Sequence, residues 1–144
     1  MNCDPRTIAH RELAGDLLES QPILLDKIGA ACEAEVPMVA VGLTEVLRFI
    51  NLTAYARQSL TPSPRVDLAW HEFILCTRPY VEFCDRWFGR MIHHDPGGSD
   101  QRNRDRFKQT MQLYNQFFGP PDPQWWGQPH PQVAVSNCGG CESV

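Results

Sequence analysis

The sequence predicts an all-α protein, a compact bundle of about five or six helices with an irregular, extended C-terminal tail. Three observations carry this. Proline follows a small polar residue at several points where a helix would start. Apolar residues recur at three- and four-residue spacing rather than in alternation. No alternating strand pattern exceeds four residues, and there is no internal repeat.

Asp4-Pro5 reads as a helix cap followed by proline at the first helical position, opening a helix to about Glu19. Leu13, Leu17 and Leu18 form its apolar side. Ser20-Gln21-Pro22 restarts the chain into a second helix reaching Glu35. The third, about Pro37 to Gln58, has the cleanest period, with Leu43, Val46, Leu47, Ile50 and Ala54 on one face. Ser63-Pro64 caps and opens a fourth, to about Cys76. Thr77-Arg78-Pro79 breaks the chain, and a fifth helix runs to about Met91. His93-His94-Asp95-Pro96-Gly97-Gly98 is a loop. A last helix, about Ser99 to Phe118, carries the stripe Phe107, Met111, Tyr114 and Phe118, and Gly119-Pro120-Pro121 stops it. The tail beyond Asp122 is expected to be extended, with Trp125-Trp126 packing back onto the helices. Residues 1–127 then form one helical domain, and residues 128–144 a flexible tail ending in a CxxC.

A chain of 144 residues with 42% hydrophobic and 21% charged residues can build one core. The net charge of -4 argues against nucleic acid as a partner, since such proteins carry a basic face. The most apolar run, Val36 to Leu43, ends at Glu45 and Arg48, short of a membrane span. The N-terminus has no basic region followed by an apolar stretch, so no signal peptide is expected. The expected location is the cytoplasm, with the six cysteines mostly reduced.

The chemistry concentrates between Asp67 and Asp95. Asp67 and His71 stand four apart on a helix and share a face. A carboxylate there can bond one imidazole nitrogen and fix the tautomer of the other, as the residue behind a metal-bound histidine does. Cys84 follows on the next helix, and His93 and His94 lie just past its end. Together these suggest a transition-metal site of His71 with His93 or His94, and Cys84, with Asp67 orienting His71. Nitrogen and sulfur ligands suit zinc, iron or copper. Each residue also has a plainer reading: His71 as a core histidine bonded to Asp67, Cys84 as a small buried apolar group, and the His pair as a solvated helix end. Cys138-Gly139-Gly140-Cys141 could chelate a soft metal, close a disulfide or do neither.

The run Val66-Asp67, Trp70-His71, Phe73-Ile74-Leu75, Thr77-Arg78, Tyr80, Phe83-Cys84, Phe88-Gly89, Ile92-His93-His94 and Pro96, with Tyr114, Phe118-Gly119 and Trp125 or Trp126 behind it, resembles the glycine-rich domain-containing protein-like family in its short bacterial form. The resemblance covers about residues 60 to 127. It implies a helical domain with no well-established biochemical activity.

The leading expectation is therefore a small cytoplasmic metal-binding protein in an accessory or carrier role, with Cys138 and Cys141 as a delivery arm. One alternative is an interaction module without metal, whose protein partner docks on an aromatic surface near Trp125-Trp126. Another is a metal-dependent enzyme, although no nucleophile–base pair or phosphate loop is visible.

Overall fold

The computed structural model describes residues 3–95 and 97–128. Among these the chain forms seven α-helices and no strand: α1 (His10–Ser20), α2 (Pro22–Cys32), α3 (Val36–Ala56), α4 (Pro64–Leu75), α5 (Thr77–Phe88), α6 (Asp100–Phe118) and α7 (Pro123–Trp126).

Several starts follow the expected chemistry. The Ser63 hydroxyl accepts the Val66 amide at the head of α4, and the Ser99 hydroxyl accepts that of Arg102 at the head of α6. Other boundaries moved. Asp4-Pro5 opens only a 3-10 turn, Pro5–Thr7, and the chain extends through Ile8 before α1 begins. Ile8 thereby enters the core instead of continuing a helix. Helix α2 stops at Cys32 because Glu33 turns left-handed, with φ 50°. Helix α5 starts at Thr77, so Pro79 sits inside its first turn, where a missing amide costs no helical bond. It ends at Phe88, where Gly89 caps it at φ 72°.

Helix α3 is the central element, and α1, α2, α4 and α6 all pack on it. It is long and apolar enough to cross a membrane, but 61% of its apolar window is buried inside the protein. It also carries polar groups into the interior. Glu45 accepts the Trp126 indole N–H at 2.8 Å and the Tyr114 hydroxyl at 2.5 Å. The other Glu45 oxygen takes Arg48 at 3.2 Å. This cluster ties α3 to α6 and α7, and burial, with Glu45 beside it, pushes the Tyr114 hydroxyl pKa up.

The start of the expected extended tail is thus a helical turn locked into the core. Trp125 and Trp126 are each 1% exposed. Gly42 makes the fit possible: a Cβ there would lie 2.3 Å from the Trp125 ring. Ser63 donates its hydroxyl to the Trp125 carbonyl, and the Arg65 guanidinium covers the Trp125 ring at 4.2 Å. The tryptophan pair therefore packs onto the helices, with both rings buried.

Candidate metal centre

The site is built where α4 passes the extended segment after α5. Asp67 lies one turn into α4, and its side chain is almost wholly buried. Its i+4 position brings His71 alongside. The His71 Nδ1 is 3.4 Å from Asp67 Oδ1 and 2.9 Å from the Asp67 main-chain carbonyl. The closer contact is to the carbonyl, so Nδ1–H donates there and leaves the Nε2 lone pair available, the tautomer that suits a metal ligand. Sequence spacing placed the Asp67 carboxylate behind His71. The carboxylate instead lies between two imidazoles and is nearer the second.

That second ring is His94. Its Nε2 is 3.0 Å from Asp67 Oδ1, and its ring centroid is 4.3 Å from that of His71. One potential ligand atom from each of Asp67, His71 and His94 lies within 4.8 Å of the other two. A tetrahedral ion with bonds of about 2.0–2.1 Å holds its ligand atoms roughly 3.4 Å apart. The three atoms therefore need to draw somewhat closer to hold such an ion, and the His71 side chain, 35% exposed, is the one nearest solvent.

The delivery of His94 is a matter of buried hydrogen bonds. The Trp70 indole donates to the Tyr80 hydroxyl at 3.1 Å, and that hydroxyl donates to the Ile92 carbonyl. Ile92 is 1% exposed and anchors the segment. Ser59 donates to Asp95 at 2.6 Å and holds the other side. The Trp70 ring lies 4.5 Å from that of His94 and forms the apolar wall. Burial pushes the Tyr80 hydroxyl pKa up, so it remains a neutral donor.

The remaining expected ligands lie elsewhere. His93 points away because successive residues of an extended segment face opposite sides. Ile92 and His94 turn inward, and His93 lines a separate cavity. Cys84 is fully buried against Tyr80 and the Ile92 main chain, and burial raises its pKa. A thiol held protonated in an apolar setting is a poor metal ligand. Among the described residues only Asp67, His71 and His94 form such a cluster. Cys138 and Cys141 fall outside the described residues. The role of Tyr80 was not read from the sequence, because the Ile92 carbonyl that it bonds is brought to it by tertiary packing.

The chain matches the UCP032817-like family over residues 19–116 and belongs to it. This is an uncharacterised family. The match corrects the expected glycine-rich domain-containing membership. It begins nearly fifty residues upstream of the Trp-His and His-His run and takes in α2 and α3, so that run lies within a larger helical unit. No curated protein and no solved structure matches the chain.

Proposed function

We propose that this protein binds a divalent transition ion, zinc or iron, through Asp67, His71 and His94, in an accessory or carrier role. The observation that carries the proposal is the convergence of one carboxylate and two imidazoles on one point from two separate segments. The ion would replace the proton that His94 now shares with Asp67. A two-histidine, one-carboxylate set with a further position open is a chemistry shared by zinc and non-haem iron sites. The part-exposed His71 gives that open position an entry path, which suits an ion that is loaded and released.

The reading places the protein in the cytoplasm. Among the described residues Cys32, Cys76 and Cys84 form no disulfide, which fits a reducing compartment. It also keeps residues 1–127 as the domain and residues 128–144 as an arm, with Cys138 and Cys141 as soft ligands for transfer.

Elemental analysis of untagged protein tests the proposal. About one zinc or iron per chain is expected, falling to background in His94→Ala. Metal-free protein that takes up neither ion on dialysis would overturn it.

A further inference from the structure

A cavity of about 560 Å³ opens on the far side of the His93–Asp95 segment from His71. Its walls come from the end of α3 and the residues after α5. Ala54, Phe88 and Ile92 lie in its wall, each nearly buried, and most of the other lining residues are polar or charged. Arg57 and Arg90 stand at its edge. Neither makes an ion pair with another described residue. Both follow helix C-termini, where a cation is favourable in itself. What sets them apart is that two such cations line one cavity. Arg57 also holds a left-handed conformation, φ 55°, at a capping position where glycine is the usual residue. One carboxylate shares the lining: Asp95 takes the Ser59 hydroxyl on one oxygen and offsets one of the two positive charges.

We infer that this cavity binds a small organic anion, with Arg57 and Arg90 holding a phosphate or carboxylate head and the mixed polar and apolar wall holding its body. The volume is that of a small-molecule site, and the lining is divided about evenly between polar and apolar surface. Guanidinium groups match phosphate and carboxylate oxygens in geometry and charge. A bare inorganic ion would leave most of the space unfilled, so the ligand carries a ring or chain. The inference is independent of the metal proposal, since Asp67, His71 and His94 do not line this cavity.

The test is a titration of the full chain in EDTA with phenyl phosphate, benzoate, inorganic phosphate and neutral benzyl alcohol, followed by amide chemical shifts. Phenyl phosphate or benzoate should bind saturably, with shifts centred on Ala54, Phe88 and Ile92. Whichever binds identifies the head group. Inorganic phosphate should bind more weakly. Arg57→Gln and Arg90→Gln, both exposed and checked for an unchanged helical spectrum, should each weaken binding about tenfold or more. Three results would overturn the inference: no saturable binding of either organic anion, equal binding of benzyl alcohol, or anion binding that appears only when zinc replaces EDTA.

Discussion

His94 meets Asp67 from 27 positions away in the sequence, with its Nε2 3.0 Å from the Asp67 carboxylate. Asp67 also faces His71, so one buried carboxylate serves two rings. Removing it should strip His94 of this acceptor, while His71 keeps its bond to the Asp67 main-chain carbonyl. Asp67→Ala removes the buried acceptor 3.0 Å from His94 and should cost roughly 1–3 kcal/mol without any metal. Asp67→Asn keeps the shape but loses the charge and should weaken zinc binding at least about tenfold. Chemical denaturation and zinc titration of the two variants check this. An Asp67→Asn protein that binds zinc normally would remove the carboxylate from the site.

Tyr80 joins α4 to the His94 segment by donating to Ile92 while accepting from Trp70. Tyr80→Phe leaves both groups buried without this partner. The expected cost is about 1–3 kcal/mol, and the segment should loosen. Faster amide exchange at His93–Asp95, with the exchange of α1 and α2 unchanged, is the measurement that checks it. Uniform exchange across the bundle would show that Tyr80 acts only on global stability.

Gly42→Ala should destabilise even though alanine is the better helix former. The added methyl would sit 2.3–2.8 Å from the Trp125 ring. Forcing that ring outward should cost on the order of 1–3 kcal/mol, against about 1 kcal/mol gained in helix propensity. Tryptophan emission should shift to longer wavelength as Trp125 meets water. A more stable variant with unchanged emission would contradict the packing of α7.

His10 supplies a pH dependence. It is 5% exposed, and its Nε2 lies 2.8 Å from Asn51 Oδ1. Burial lowers its pKa from 6.5 to about 4, partly opposed by the Asn51 bond. Between those values the unfolded chain binds the extra proton and the folded one does not. The stabilisation is therefore complete above about pH 6.5 and is lost as pH falls towards 4. Across that window the wild type should lose about 3 kcal/mol more than His10→Gln. Denaturation midpoints at pH 7, 5.5 and 4 read the difference, and parallel curves for the two proteins would contradict it.

The bundle was legible because its signals are local. Ser63-Pro64 and Ser99 cap helices by short-range hydrogen bonds, and the α3 periodicity selects its buried face. Asp67 with His71 was legible for the same reason, since one helical turn brings them together. The choice of His94 over His93 depends on which residues of an extended segment face inward. The buried Ile92 decides it, and period-two alternation from that residue would have found it. The Glu45 cluster and the seating of Trp125 on Gly42 join residues some seventy to eighty positions apart, and no local pattern encodes such contacts.

The most direct test of the metal centre is calorimetric zinc titration of untagged, EDTA-stripped Cys138→Ser/Cys141→Ser protein, compared with the same protein carrying His71→Ala. Removing the two tail thiols takes the CxxC out of the measurement. The account predicts one zinc per chain in the parent, with proton release on binding and a raised melting temperature, and at least about tenfold weaker binding in the His71 variant. Equal zinc binding by the two proteins, or no saturable binding by the parent, would contradict it.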